Sequence, residues 1–380
     1  MAREPTYLAA RTVAPMIEEH FARHLAEARR RGEDDLAPAP DTEVIEAVID
    51  ATFWASFRPE EGRFPKISLA YLPPEQSRDP LIFEHRLPLT SGILTKLAPA
   101  VERPGIHLGV WREEGELVVW GATGKIPSLG FVLEDIEPGL LVVKHRRIDG
   151  LGKFANVAVL KGAHTKIVDD AGTSLPDCPD LLKSLLAFTS PETWDHSVNV
   201  LVQMAASMRS HGQGGILLVV PDETDRWRES VIHPIVYSVA PSISKVARLL
   251  NSGPSPDREN DWLASLSRSV DTVAGLTAVD GATIISDSYN VLAFGAKIRR
   301  ADDAEQVEQM VLTEPVVGNE AIVVAPVQHG GTRHLSAAQF INDQKDALAL
   351  VASQDGRFTV FAWSPCEYMV HAHRVDVLLM

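Results

Sequence analysis

Gly214-Gly215 runs straight into Ile216-Leu217-Leu218-Val219-Val220, five apolar residues with no polar position among them. A strand that is apolar at every position has no face to offer water. It must be covered on both sides, as strands of α/β sheets are. The neighbouring segments agree. Val198, Leu201, Val202, Ala205 and Met208 fall on one side of a helix before the run, and Leu181 to Phe188 is also helical in texture. Trp262, Leu263, Leu266, Val270 and Val273 fall on one side of a helix after it. No apolar run approaches the ~20 residues that a membrane span requires. Residues 181–365 are therefore predicted to form an α/β domain, a mixed β-sheet flanked by helices, with 366–380 following as a terminal strand or tail.

The first half reads differently. Val13, Met16, Ile17, Phe21, Leu25 and Ala28 recur at helical spacing, and the pattern runs out at Gly32 and the polar PAPDTEV. This predicts an N-terminal helix and linker over 1–40. Arg29-Arg30-Arg31 suits the end of a helix, where cations meet the macrodipole, and Glu33, Asp34 and Asp35 follow at once. From Glu43 the texture is one of short strands and turns. Ile106 to Val110 and Leu117 to Trp120 flank a REEGE turn, and Lys66 to Tyr71, Leu140 to His145, Phe154 to Leu160 and His164 to Val168 are further strand candidates. A mostly β or α+β domain is predicted over 41–175, ending where Pro, Gly and Asp cluster between Gly172 and Pro179. The tryptophans read as packing residues. Gly121-Ala-Thr-Gly-Lys125 is not a P-loop, because Val119 and Ile126 stand where a glycine and a hydroxyl residue are needed.

Charge and cysteine content narrow the function classes. Against 36 Lys and Arg stand 51 Asp and Glu, a formal charge of −15. So acidic a chain lacks the basic face that grips nucleic acid or an anionic membrane, although a few local cations and backbone amides suffice for one phosphate tail. Cys178 and Cys366 form neither a disulfide framework nor a Cys-x-x-Cys zinc pair. With no signal-like apolar segment at the N-terminus, the expected location is cytoplasmic.

Three segments in the last third carry chemistry. Asp280-Gly281-Ala282 stands at the mouth of a buried strand, Thr283 to Ile285, where a carboxylate would lie beside backbone that a ligand can approach. The alternative is a plain helix-to-strand turn. Gly330-Gly331-Thr332-Arg333-His334 follows the buried run 321–327 and leads into a helix. Glycines, a helix start and the Arg333 fork, with Thr332 and His334 as further donors, make a phosphate cradle. The alternative is a loop whose Arg333 pairs with a carboxylate. Ser353-Gln354-Asp355-Gly356 follows the strand 347–351, and its composition also fits a simple hairpin turn.

Taken together, DGATIISDSYNVLAFGAKI (280–298), GTRHLSAAQF (331–340) and DALALVASQDG (346–356) resemble the diadenylate cyclase (DAC, DisA_N-type) domain. Its members carry Asp-Gly-Ala, then Gly-Thr-Arg-His-Arg, then Ser-Glu-Glu or Ser-Gln-Asp-Gly, in this order. The resemblance spans Leu181 to Trp363. Around LGVWREEGELVVWG (108–121) the first half is similar to the DACNV type of probable sensor domain that precedes DAC domains. The resemblance implies condensation of two ATP molecules into cyclic di-AMP with release of pyrophosphate, Asp280 activating a ribose 3′-hydroxyl and Thr332, Arg333 and His334 holding the triphosphate. It implies an ATP site formed by Asp280, Gly281, Ala282, Gly331, Thr332, Arg333, His334, Ser353, Gln354 and Asp355, with Asp280, Arg333 and His334 catalytic. A divalent metal, Mn²⁺ or Mg²⁺, and face-to-face self-association of two DAC domains are implied as well, with an unidentified ligand for the sensor domain. Leu335 stands where the pattern has a second Arg, and Gln354 where many members have Glu. The alternative function is a DAC-like module that binds ATP or cyclic di-AMP without synthesis. His371 and His373, with Cys366 nearby, are a metal candidate; the competing reading is partly exposed residues on a terminal strand.

Overall fold

The apolar spacing at the N-terminus folds as α1 (Leu8–Arg30) in a computed structural model that describes residues 6–148, 154–169, 196–242, 244–253 and 259–380. The boundary read at Gly172 to Pro179 and the helix read at Leu181 to Phe188 lie outside the described residues. The chain divides into two compact units, Met1–Val168 with Met380, and Asp169–Leu379.

The first unit holds an eight-stranded sheet in the order β2-β4-β3-β1-β5-β6-β7-β8. The strands are β1 (Ser68–Tyr71), β2 (Leu81–Pro88), β3 (His107–Glu113), β4 (Glu116–Thr123), β5 (Phe131–Glu137), β6 (Leu140–Arg146), β7 (Phe154–Lys161) and β8 (His164–Ile167). Only β1 and β3 run parallel; every other neighbouring pair is antiparallel. Two expectations need correction. The N-terminal helix does not stand ahead of this domain, because Ala10, Val13, Ala14, Ile17 and Phe21 share a core with Leu69, Phe131, Leu133, Leu141 and Val143. The stretch after Glu43 is not yet strand but α2 (Thr42–Ser56), whose first turn is capped by Asp41 accepting from the Val44 N–H at 2.8 Å. Val44, Ile45, Val48 and Ile49 enter the same core, as does Leu94 of α3 (Ser91–Leu97). On the opposite sheet face Trp120 is fully buried and donates its indole N–H to the Leu72 carbonyl at 2.8 Å.

The second unit is α/β, with helices on both faces of a nine-stranded mixed sheet ordered β10-β12-β11-β9-β15-β16-β17-β13-β14. Its strands are β9 (Gly215–Val220), β10 (Tyr237–Ser238), β11 (Ala282–Ser286), β12 (Val291–Ala296), β13 (Met310–Thr313), β14 (Ile322–Val324), β15 (Leu348–Ala352), β16 (Phe358–Ser364) and β17 (Met369–Arg374). The continuous apolar run of β9 has the predicted cause. Leu217 and Val219 face a core shared with α4 (His196–Ser210), α5 (Lys245–Ser252) and α6 (Glu259–Leu276), while Ile216, Leu218 and Val220 face the core under α7 (Thr332–Asp343). The last strand is no tail: β17 pairs with both β16 and β13. That placement corrects the exposure expected for His371 and His373, which are 1% and 0% exposed. Each is held by a neighbour, His371 Nε2 by Glu367 at 3.0 Å and His373 Nδ1 by Thr313 Oγ1 at 2.7 Å. Among the described residues no group of three or more His, Cys, Asp or Glu is arranged to hold a metal.

Candidate functional site

Strand direction decides which loops meet. β9 and β11 run parallel, with Ala282 opposite Ile216, so Asp280-Gly281 and Gln213-Gly214 precede their strands at the same end of the sheet. β15 runs against β9 and finishes there, with Ala352 opposite both Gly215 and Phe358. The Ser353–Arg357 turn therefore arrives at that end too. α7 begins there as well, because a Cβ built on Gly214 would sit 2.8 Å from Arg333 Nη1 and 3.2 Å from the Ala352 carbonyl oxygen. Gly214 has φ +72°, and its missing side chain is the space the guanidinium occupies. All three segments singled out in the sequence thus converge.

Within this cluster the residues divide by exposure. The Asp280 side chain is 94% exposed, and its Oδ2 accepts from Lys297 Nζ at 2.6 Å. Lys297 Nζ also reaches the Asp280 carbonyl at 3.3 Å. The Lys297 hydrogen bond, then its charge, then the charge of Arg333 hold the Asp280 carboxyl below the usual carboxylate range. Gly281 (φ +124°) is needed because a Cβ would fall 2.4 Å from the Gly295 carbonyl carbon on β12. Ala282 is buried as the first residue of β11. Gly331 and Thr332 are exposed at the start of α7, whose first turn contains no acidic residue and no capping side chain.

His334 departs from its predicted role as an open phosphate donor. It is 5% exposed, its Nε2 is engaged with Thr359 Oγ1 of β16 at 3.2 Å, and its ring meets Phe361 edge-on. Burial pushes its pKa down, so at neutral pH it is an uncharged strut between α7 and the sheet. The Ser353–Gly356 segment is a hairpin turn, as its composition allowed, and also part of the cluster. Gln354 Nε2 donates to the Gln213 carbonyl at 3.4 Å, and Asp355 pairs with Arg357 at 3.4 Å. Arg209 of α4 donates to the Gly356 carbonyl at 3.2 Å.

Lys297, Arg357 and Arg209 were not anticipated as members of the site. Only Lys297 had a signal: Asp-Gly-Ala and Gly-Ala-Lys close an antiparallel pair, which sets Lys297 beside Asp280 once Ala282 faces Ala296. The assembled cluster offers an ionised carboxylate, several guanidinium and ammonium groups, and glycine-lined backbone at a helix start. Such a set can bind a polyphosphate and orient a hydroxyl beside it. Its oxygen donors also suit a hard divalent cation, which is commonly held by one or two carboxylates plus substrate phosphates. A separate cavity of about 310 Å³, lined by Thr224, Arg226, Trp227, Gln344 and Lys345, lies at the other end of β9 and uses none of these residues.

Residues 34–124 match the family described as "Probable sensor domain DACNV". The matched stretch runs from before α2 to the end of β4, inside the first unit. No curated protein matches the chain. Among solved structures, a "hypothetical membrane spanning protein from Bacillus cereus" aligns at 16% identity over 51% of this chain and 70% of that one, with a TM-score of 0.27. That likeness is too loose to support an argument about fold. No described helix is long and apolar enough to cross a membrane.

Proposed function

We propose that the second unit is a diadenylate cyclase, joining two ATP molecules into cyclic di-AMP, and that the first unit is its sensor. One observation carries the reading: three segments separated by tens of residues, each matching part of the DAC pattern, meet at one end of one sheet around Asp280 and Arg333. The sensor half of the reading is supported by the DACNV match, a domain usually found with diadenylate cyclase domains.

In the proposed reaction a ribose 3′-oxygen of one ATP attacks the α-phosphorus of the other, and pyrophosphate leaves. Repetition in the opposite sense closes the ring. Asp280, ionised at neutral pH, accepts or orients the 3′-hydroxyl proton. Arg333 and the exposed Thr332 hold phosphate oxygens, and His334 fixes the first turn of α7 from beneath. A divalent metal, held by Asp280 with the substrate phosphates, would neutralise developing charge. Each domain brings one ATP, so two domains must face each other. The test is incubation of the purified chain with ATP and Mn²⁺ followed by chromatography. Formation of cyclic di-AMP is expected.

One observation favours a second reading, binding without synthesis. Leu335, at the position of the pattern's second Arg, is partly buried against the core under α7. The site thereby lacks one cation of the kind that stabilises developing charge. Bound but unchanged ATP would select this reading, and Leu335→Arg would then restore synthesis if the missing cation is the cause.

A further inference from the structure

Close to Asp280 the second unit leaves an aromatic ring uncovered. Tyr237 starts β10, the strand at the edge of the sheet, and is 47% exposed. Its ring stacks on Phe294 across the β10–β12 pair, with centroids 4.8 Å apart and planes within 4° of parallel. The next residue on β12, Gly295, has φ +63°, and a Cβ there would fall 2.8 Å from Tyr237 Cδ2 and 3.4 Å from Val279 Cγ1. The missing side chain gives the ring room beside Val279, the exposed residue immediately before Asp280. Ile232, exposed as well, donates its backbone N–H to the Lys297 carbonyl at 2.8 Å. Exposed apolar side chains gathered beside polar groups mark binding surfaces.

Strand order says what this surface faces. β9, β11, β12 and β10 stand side by side, and β12 runs against both β11 and β10. Tyr237, at the start of β10, therefore lies toward the same end of the sheet as the start of β11. Arg333 lies over Gly214 at the head of β9, Asp280 heads β11, and Tyr237 follows on β10. Neighbouring strands are about 4.8 Å apart, which sets β10 about 10 Å beyond the strand of Asp280 and about 14 Å beyond that of Gly214. An extended nucleoside triphosphate carries its groups in the same order: phosphates, then ribose hydroxyls, then base. With phosphates at Arg333 and ribose at Asp280, the base arrives at Tyr237. Stacking needs only a flat π-face, and a ring already fixed by a second ring loses little freedom when a base covers it.

We propose that Tyr237, backed by Phe294, is the platform on which the base of the bound nucleotide stacks, with Val279 completing the apolar shelf. The proposal deepens the cyclase reading of the second unit and rests on it. Tyr237 then supplies affinity for the base rather than for the phosphates. Because every base has a π-face, this contact favours the larger purine rings over pyrimidines and holds adenine and guanine nearly alike.

Calorimetry on the full chain with Mn²⁺ and two probes tests this: α,β-methylene-ATP, whose bridging carbon blocks release of pyrophosphate, and tripolyphosphate, which has no base. Tyr237→Ala should weaken α,β-methylene-ATP about 10-fold and leave tripolyphosphate within about 2-fold, whereas Tyr237→Phe should keep the wild-type affinity for both. Arg333→Ala should weaken both probes, which marks the phosphate end. Circular dichroism checks that each variant is folded. Equal affinity of wild type and Tyr237→Ala for α,β-methylene-ATP overturns the platform and leaves the cyclase reading standing. No saturable binding of α,β-methylene-ATP to the wild type overturns both. Equal losses for the two probes in Tyr237→Ala would give Tyr237 a role in shaping the site, and also overturn the stacking. Sedimentation velocity tests the other occupant. Self-association of the wild type without nucleotide, lost in Tyr237→Ala while nucleotide affinity is unchanged, would assign the surface to a second copy of the chain and overturn the proposal.

Discussion

Each unit places an aspartate at the end of a strand in a mixed sheet, and the two have opposite fates. Asp280 is almost fully exposed, paired with Lys297, and held below the ordinary carboxylate range. Asp135 is buried, without a partner among the described residues, and raised to about 7. The difference comes from what surrounds each strand end. Asp280 precedes its strand where glycine backbone and cations gather, so its charge is stabilised from outside. Asp135 lies within its strand next to apolar Ile67, so its charge meets low dielectric. The first arrangement keeps the carboxylate ionised at neutral pH. The second favours the neutral acid.

The largest expected effect tests the first half of this contrast. Asp280→Asn keeps the size of the side chain and removes its charge, so a transition-state role predicts lost turnover with little change in ATP affinity. General-base contributions of about 10²–10⁴-fold set the expected fall in kcat. Product chromatography and calorimetry on one folded preparation measure both quantities, and an unchanged rate in the variant would remove the assigned role.

The second effect concerns Asp135 and stability. Its folded-state pKa, about 7, exceeds the ordinary value of 3.8. Between those limits the native state holds more protons than the unfolded state, so stability falls as pH rises through the window and levels off above it. Asp135→Asn should remove that slope, about 2–4 kcal/mol in all. Denaturant melts of wild type and variant at several pH values give the difference, in which other titrating groups cancel. Among these are His145 and His373, which burial pushes down to about 3. Parallel pH profiles would mean that Asp135 finds a partner in solution.

Much of this contrast was open to the sequence on one side and closed on the other. Asp280 and Arg333 were legible because glycines and strand boundaries mark them, and the apolar run of β9 foretold the two covered faces that bring their loops together. Asp135 carried no such mark, since an acidic residue in VLEDIE reads as the solvent side of a strand. Its burial comes from tertiary neighbours, Ile67 before β1 and Leu141 opposite it on β6. The helical spacing of Val44, Ile45, Val48 and Ile49 behind the Asp41 cap was available but was masked by β-branched residues, which favour strands on propensity alone. The burial of His371 and His373 was not available, because it depends on β13 pairing beyond β17.

A third effect sharpens the site end of the comparison. Arg333→Ala removes the guanidinium seated over Gly214 and should weaken ATP binding about 10–100-fold, the value of a charge-assisted contact. Equal affinities by calorimetry would make Arg333 a structural plug for the space at Gly214.

The smallest effect isolates the cause of Asp280's ionisation. Lys297 contributes the leading share of the depression, through its hydrogen bond and then its charge, and Arg333 adds less. Lys297→Met keeps the length of the chain and removes the ammonium, so the Asp280 carboxyl should move back up toward the ordinary carboxylate range. If catalysis requires Asp280 ionised, the acid limb of the pH–rate profile marks its titration, and that limb should shift to higher pH in the variant. At pH 7 and above the carboxylate is ionised in both proteins, so the plateau rate should change little through this route. Stability should also change little, because an exposed ion pair is screened by water and salt. A limb that stays in place would show that Lys297 does not set the state of the base, and that the contrast with Asp135 rests on exposure alone. A lowered plateau with an unmoved limb would instead give Lys297 a direct contact with phosphate.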